Sequence, residues 1–199
     1  MSSAPAHLSF AHVREQSPIS PVAVKPDAKA SVIVRPVAAT DPVSAITALL
    51  HRAYAKQVSL GLRPLAARQD DAVTARRISS GECAVAVLPS PEGDRIVGVI
   101  ILSEKEPDSG PAYFTRPGVC SFSQFAVDPD LQGLGIGGKL LAHVERRAIA
   151  LGNTEIALSM AEPDHDLRDY YLRRGYRIVG VWKWPYTNYS SLVMAKRLA

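Results

Sequence analysis

Four glycines within six residues constrain this chain more than any other feature of its sequence. They stand at positions 133, 135, 137 and 138 of the segment 125–141, FAVDPDLQGLGIGGKLL. Glycines at the start of a helix leave backbone N–H groups accessible, and these groups together with the helix dipole favour a bound anion. The segment therefore predicts a strand, then a phosphate-binding turn, then a helix.

Two nucleotide-binding patterns fit this segment incompletely. A P-loop over residues 133–139 requires a Ser or Thr hydroxyl next for magnesium, but Leu140 follows. A dinucleotide-binding G-x-G-x-x-G should follow its strand directly and open a long series of βαβ units. Here residues 128–131 intervene, and only 61 residues follow Gly138. The P-loop interpretation fails, whereas a nucleotide-dependent dehydrogenase stays open as an alternative that predicts NAD(P) binding.

A third pattern, [Arg/Gln]-x-x-Gly-x-[Gly/Ala], is satisfied in full by Gln132, Gly135 and Gly137, after a strand that ends Ala-Val-Asp-Pro. It resembles motif A of the GNAT superfamily, the acyl-CoA-dependent N-acyltransferases. A separate segment, residues 169–176 (DYYLRRGY), resembles the later signature aromatic-Tyr-x-Lys/Arg-x-Gly-aromatic. Gly175 can also end a helix in the left-handed conformation. The resemblance covers a domain of about residues 31–199 and leaves residues 1–30 as a flexible tail.

Apolar periodicity and turn residues predict the order β-α-α-β-β-β-α-β-α-β-β. Asp41 is expected to cap the first helix, with Pro42 at its first position. The superfamily has this order, and the resemblance implies an α/β (α+β) fold: a mixed, mostly antiparallel twisted sheet with helices on both faces.

The resemblance also implies acetyl-CoA as co-substrate. The strand before the glycines would offer backbone groups to pantetheine, and the turn would hold the pyrophosphate. Lys139 can add charge there or be an ordinary solvated helix residue. The expected cofactor-binding residues are Phe125, Ala126, Val127, Gln132, Gly133, Leu134, Gly135, Ile136, Gly137, Gly138 and Lys139.

Tyr171 is the predicted proton donor. Attack of an amine on a thioester expels a thiolate, and a phenol of pKa ~10 is still protonated at neutral pH and can donate to a sulfur of pKa ~8.5. The alternative is a core tyrosine whose hydroxyl is satisfied within the protein.

No base stands where the superfamily often has Glu or His, because the strand before the glycines carries Ser121 and Ser123. Deprotonating a lysine-like ammonium at pH 7 costs about 4.6 kcal/mol, against about 1 for an α-amine. Either the acceptor is a weakly basic amine, or the base is Glu104, His51 or a chain of waters. Asp164 also departs from the Asn usual at its position, which puts its contact with CoA in doubt.

The acceptor is expected between the first two helices and the loop that joins the last two strands. An aromatic pocket there would include Tyr54, Leu62, Arg63, Trp182, Trp184 and Tyr186. Ordinary packing is the alternative for each.

The sequence thus predicts an N-acetyltransferase that acts on a primary amine of a small molecule or peptide by direct attack in a ternary complex. A non-catalytic acyl-CoA-binding regulator is the alternative.

Composition limits the binding partners and the cellular compartment that can be expected for this chain. The net charge is +4, and the basic pairs are scattered rather than gathered in one run, so no nucleic acid is expected. No apolar run approaches the ~18 residues of a membrane span. Five dispersed histidines predict no metal site. Cys83 and Cys120 are expected to be buried free thiols of a cytoplasmic protein, either monomer or homodimer.

Overall fold

The computed structural model describes residues 32–91, 93–103 and 110–199. The strands are β1 (Ile33–Pro36), β2 (Glu82–Leu88), β3 (Arg95–Ser103), β4 (Val119–Val127), β5 (Glu155–Ala161), β6 (Arg177–Trp182) and β7 (Ser191–Arg197). The helices are α1 (Val43–Ser59), α2 (Asp71–Ser79), α3 (Ile136–Ala150) and α4 (His165–Leu172). Three short 3-10 turns span Leu65–Ala67, Ala112–Thr115 and Pro129–Leu131. The predicted tail, residues 1–30, lies outside the described residues.

The seven strands form one sheet in the order β1-β2-β3-β4-β5-β7-β6. Among the described strands, β4 and β5 are the one parallel pair, and the other neighbours are antiparallel. The predicted order of helices and strands and the mixed, mostly antiparallel sheet are confirmed. In the part of the chain that the structure covers, no helix combines the length and apolar character needed to cross a bilayer.

Helices pack on both faces of the sheet, as expected. The apolar stripe of α3, including Leu140 and Val144, packs with Ile100 of β3 on one face. Leu49 and the neighbouring apolar residues of α1 pack with Val99 on the other. Because β3 is covered on both sides, its side chains form an almost continuous apolar run rather than an alternating one.

The parallel pairing of β4 with β5 is short. Residues 119–121 of β4 pair with residues 155–157 of β5, and no pairing continues beyond Ser121 and Ala157. The two strands therefore diverge toward the carboxyl end of β4, where the glycine turn begins. This divergence opens the middle of the sheet.

Of the two predicted helix ends, the one at Gly175 is confirmed and the one at Asp41 is not, while a third helix end carries a cap, Asp70, that was not predicted. Asp70 caps α2 by accepting a hydrogen bond from Val73 N at 2.8 Å, and Gly175 adopts φ +83° just after α4. The prediction that Asp41 caps α1 is wrong. Its carboxylate instead accepts hydrogen bonds from Arg35 (2.7 and 2.9 Å) and from Ala38 N (2.7 Å). The Arg35 guanidinium therefore binds this carboxylate in place of the N–H groups at the start of α1. The helix begins after Pro42 without a side-chain cap.

Candidate active site

An open cleft of about 1360 Å³ lies where β4 and β5 diverge. Its walls combine residues 122–127 of β4, residues 158–161 of β5 and the glycine turn. Residues from α1, α2, α4 and the loop 183–190 close the remaining sides. Most of the predicted site residues thus come together around one cavity.

The glycine turn presents a row of backbone donors to this cleft. Across the described residues, the N–H groups of residues 133–138 donate no hydrogen bond, and the first paired amide of α3 is that of Lys139, to Gly135 O at 3.1 Å. Gly133 and Gly135 have φ of +81° and +82°, a region that favours glycine. Each donor at a helix N-terminus contributes ~0.3–1 kcal/mol, so several converging donors are needed to hold a hydrated diphosphate.

The glycines also leave the space in front of these donors free. A Cβ atom added at Gly133 or Gly138 would meet nothing within 4 Å. At Gly137 it would lie 3.2 Å from Phe125 Cζ, so an aromatic ring covers that position. The residues present therefore fit a diphosphate at the start of α3.

Asp128 fixes the strand end that precedes the turn. Its buried carboxylate accepts hydrogen bonds from Arg95 (2.8 Å), Arg52 (3.1 Å) and Asp130 N (3.2 Å). Burial by itself raises the pKa of Asp128, but these donors outweigh it and hold the pKa below its usual value. This role of Asp128 was not predicted from the sequence, although an Asp-Pro pair after an apolar strand is a local signal for such an anchor.

An extra residue in β4 turns the strand toward the cleft. Val99 pairs with Ala126 and Ile101 with Ser123, so two residues of β4 lie opposite one residue of β3. Gln124 occupies this bulge with φ +51° and is the one non-glycine residue with positive φ in the described ranges. Its buried amide oxygen accepts a hydrogen bond from Gln69 Nε2 at 2.9 Å. The bulge re-aims the backbone of residues 125–127, which line the cleft.

Tyr171 is 3 % exposed and lines the cleft. The rings of Tyr170 and Tyr176 pack against it with centroids 5.4 Å away. No described residue forms a hydrogen bond with its hydroxyl. Burial raises the pKa of Tyr171 well above its usual value, and the nearby hydroxyls of Tyr54 and Tyr170 add to this rise. The phenol therefore stays protonated at neutral pH, and its O–H donates to no described residue.

The predicted acceptor residues divide into two groups. Tyr54, Trp184 and Tyr186 line the cleft, whereas Arg63 and Trp182 do not. Trp184 and Tyr186 stack with centroids 5.6 Å apart and ring planes at 20°. Trp184 is held by a hydrogen bond from Nε1 to Ser159 Oγ at 3.1 Å.

Residues outside the cleft support its walls. The backbone N–H of Arg63 donates to Asn188 Oδ1 at 2.8 Å and thereby ties the loop 183–190 to the segment after α1. Trp182 packs against Phe114 and its neighbours. Leu62 is buried and does not line the cleft either.

Three further predicted residues also lie elsewhere. Lys139 donates from Nζ to Val32 O at 3.1 Å, and Leu134 packs against the core; neither lines the cleft. His51 Nε2 lies 2.8 Å from Gln69 O, away from the cleft. Glu104, the other suggested base, lies outside the described residues.

The cleft also contains charged residues that were not predicted as acceptor contacts, among them Asp164 and Arg77. Asp164 caps α4 by accepting from Leu167 N at 3.2 Å, and its second oxygen accepts from Gln57 Nε2 at 3.0 Å. Arg77 of α2 is partly buried and lines the same cleft. Sequence spacing alone does not bring α2 and the start of α4 together. Among the described side chains, no group of three or more potential ligands could hold a metal ion.

Comparison with known proteins gives one family and many similar folds. The model of the acetyltransferase (GNAT) family matches residues 47–176. A search of curated protein sequences finds no match.

Three solved structures illustrate the similarity of fold. The IAA acetyltransferase from Bacillus cereus superposes with a TM-score of 0.57 at 22% identity, over 84% of this chain and 100% of that one. A GNAT family acetyltransferase from Elizabethkingia anophelis with acetyl-CoA bound gives 0.58 at 18% identity, over 84% and 99%. A GNAT family acetyltransferase from Staphylococcus aureus gives 0.61 at 14% identity, over 84% and 99%. At these identities the likeness concerns the fold.

Proposed function

The chain belongs to the acetyltransferase (GNAT) family, and from this premise we propose that it transfers the acetyl group of acetyl-CoA to a primary amine of a small molecule or peptide. The observation that carries the proposal is the row of unpaired N–H groups over residues 133–138, at the mouth of the gap between β4 and β5. A diphosphate bound there can direct the rest of a long ligand into the cleft. When bound, acetyl-CoA supplies a thioester whose acetyl group an amine can accept with release of the thiol.

The residues that would hold the co-substrate fall into two groups. Residues 133 and 135–138 would bind the pyrophosphate through backbone donors, and the side chain of Gln132, which lines the cleft beside them, would add a contact. The re-aimed backbone of residues 125–127 would face the pantetheine amides, since this part of β4 has no pairing with β5. Arg174 lines the same cleft, and its guanidinium lies over the Tyr170 ring, 3.5 Å from the centroid.

Tyr171 would supply the proton that the departing thiol needs. Its hydroxyl lines the cleft without a partner among the described residues, and its raised pKa keeps it protonated. Transfer of the acetyl group from sulfur to a neutral amine releases one proton from nitrogen and adds one to sulfur. The phenol can therefore regain its proton from the amine of the acceptor.

Direct transfer is favoured over a covalent acyl-enzyme. Cys83 and Cys120 are both buried, and neither lines the cleft. Burial raises the pKa of the Cys83 thiol to about 12, which disfavours the nucleophilic thiolate. Two buried free thiols also suit a reducing compartment, so we propose the cytoplasm as its location.

Calorimetry with acetyl-CoA, NADPH and ATP tests the first half of this proposal. We expect saturable binding of acetyl-CoA and none of the two nucleotides. Thiol release with a panel of amino acids, polyamines, aminoglycosides and N-terminal peptides tests the second half. Indifference to acetyl-CoA would refute the proposal.

One observation favours a second candidate, a non-catalytic acyl-CoA-binding regulator. The polar side chains of β4 that line the cleft are Ser123 and Gln124, neither of which can act as a base at neutral pH. This candidate predicts that acetyl-CoA binds but that no amine releases thiol. Tyr171→Phe would then affect stability alone.

A further inference from the structure

Arg77 and Asp164, two side chains of opposite charge, line the same cleft as the predicted acceptor residue Tyr54, and neither forms a salt bridge with a described residue. The neighbouring Arg76 also lines the cleft without a salt bridge, but its side chain is exposed. Arg77 belongs to α2, and Asp164 stands at the start of α4. Among the described residues, no carboxylate lies within 4 Å of the Arg77 guanidinium, and no cation lies within 4 Å of the Asp164 carboxylate. By contrast, the buried carboxylate of Asp128 binds two arginines.

Asp164 is held by neutral donors alone. Its oxygens accept from Gln57 Nε2 at 3.0 Å and from Leu167 N at 3.2 Å, and the residue is 7% exposed. A buried carboxylate with neutral donors is costly unless something compensates it. Lys56 influences Asp164 from a longer distance, but its ammonium is bound to Asp166 at 2.6 Å. Because the cleft is open on its other side, a ligand can bring a positive charge into direct contact with Asp164.

Both charges influence the hydroxyl of Tyr54. This residue of α1 lines the cleft, and its hydroxyl lies 3.5 Å from Phe125 O. Burial raises the pKa of Tyr54 to about 12, while the charge of Arg77 lowers it and that of Asp164 raises it. The contacts agree with this arrangement: Asp164 accepts from Gln57, three positions after Tyr54 on α1, and α2 is joined to α1 by the hydrogen bond between Thr47 and Thr74 (2.9 Å). Both charges therefore lie around the portion of the cleft that Tyr54 lines. Asp164 and Tyr54 also influence Tyr171, so this portion adjoins the predicted proton donor.

A ligand complementary to this arrangement carries an ammonium and an anionic group a short distance apart. Resting on the proposed function, we propose that the acceptor is a free α-amino acid, whose carboxylate faces Arg77 and whose ammonium faces Asp164. The amine is then held on the side of the cleft that adjoins Tyr171. Trp184 and Tyr186 line the same cleft and offer an aromatic wall to the amino acid's side chain.

Matched ligands test the proposal without requiring turnover. Calorimetry on the CoA-saturated protein would compare alanine, leucine and phenylalanine with their amides and with ethylamine, 3-methylbutylamine and 2-phenylethylamine. Each set keeps the side chain and the amine and removes only the carboxylate charge or the carboxylate itself. We expect at least one amino acid to bind about tenfold more tightly than its two analogues, the difference made by one charge-assisted contact.

Two variants separate the contributions of the charges. In Arg77→Gln the preference for the carboxylate should disappear, whereas the affinity for the uncharged analogues should stay the same. Asp164→Asn should weaken all three members of a set by a similar factor, because all carry the ammonium. Its fold should survive, since Asn can still accept from Leu167 N and Gln57 can turn its amide oxygen toward it. Arg146→Gln removes the same charge from the exposed face of α3, away from the cleft, and should change nothing.

Thiol release measured on the same ligands distinguishes this proposal from the function on which it rests. Amines acetylated without a preference for the carboxylate, a preference retained in Arg77→Gln, or no binding by any amino acid would each overturn the assignment of the acceptor. Preferential binding of an amino acid without thiol release would support the site and contradict the acetyltransferase activity.

Discussion

The hydroxyl oxygen of Tyr170 lies 3.0 Å from the position that a Cβ atom of Gly137 would occupy. The Tyr170 ring cannot move away easily, because the Arg174 guanidinium packs over the ring, 3.5 Å from its centroid. The first turn of α3 therefore packs directly on an aromatic ring of α4, and this contact sets the distance between the glycine turn and the helix that carries Tyr171.

Gly137→Ala should weaken the binding of acetyl-CoA. The added methyl group forces Tyr170 or the Phe125 ring to shift, at a cost of about 1–3 kcal/mol. We expect the Kd for acetyl-CoA, measured by calorimetry, to rise by about tenfold or more. Gly180→Ala on β6 is the control, since a Cβ there meets nothing within 4 Å and the residue does not line the cleft. Equal affinities in the two variants would contradict this account of the turn.

Gly138→Ala should separate stability from binding. A Cβ at this helical position meets nothing within 4 Å, so the protein itself is not strained, and alanine favours a helix over glycine by about 0.5–1 kcal/mol. The melting temperature should therefore rise or stay constant. If the diphosphate occupies the space in front of the turn, the methyl group displaces it and the affinity for acetyl-CoA falls. A thermal scan with and without acetyl-CoA measures both, and an unchanged ligand-induced shift would place the diphosphate elsewhere.

Local chemistry made much of the fold predictable. Gly175 ends a helix through contacts with residues a few positions away and was predicted from the sequence. Asp70 starts one through an equally local contact, with Val73 N, but was not predicted. Asp41 was predicted wrongly because its partner, Arg35, lies across a turn and offers a stronger charge-assisted contact than a helix N–H. The order of elements is likewise local, which is why periodicity and turn residues sufficed.

The acceptor part of the site could not be predicted to the same extent. Trp182 and Trp184 differ by two positions, yet only Trp184 lines the cleft, because the chain leaves β6 between them. Arg77 of α2, Asp164 at the start of α4 and Tyr54 of α1 line one cleft only through the packing of three helices. The bulge at Gln124 depends on a hydrogen bond from Gln69, 55 positions away in sequence. Such juxtapositions are tertiary and leave no periodic signal.

Asp128→Asn should destabilise the fold at neutral pH and change its acid stability. The net effect of Arg95, Asp130 N and Arg52 is to lower the folded pKa of this carboxyl against the opposing effect of burial. Such a group stabilises the fold above its unfolded pKa of about 3.9, and that contribution is lost as the pH falls through the folded value. We expect a loss of about 1–2 kcal/mol at pH 7, discounted because both arginines are half exposed.

Urea titrations at pH 7 and at pH values below 4 measure this loss. The difference between wild type and Asp128→Asn should shrink as the pH falls, because the wild-type carboxyl becomes protonated. Asp166→Asn is the control: Asp166 also pairs with a cation, Lys56, but on the exposed surface. A difference that stays constant with pH would contradict the assignment of the effect to the charge of Asp128.

Tyr171→Phe should abolish turnover while leaving the fold and the binding of acetyl-CoA intact. The hydroxyl has no hydrogen-bond partner among the described residues, so its removal costs little stability. Loss of a general acid lowers the rate by about 10²–10⁴-fold. Burial raises the pKa of Tyr171, so the wild-type rate should not fall through loss of its proton below about pH 10. Single-turnover thiol release across pH 6–10, with Tyr113→Phe outside the cleft as control, measures this, and full turnover by the variant would exclude the acid role.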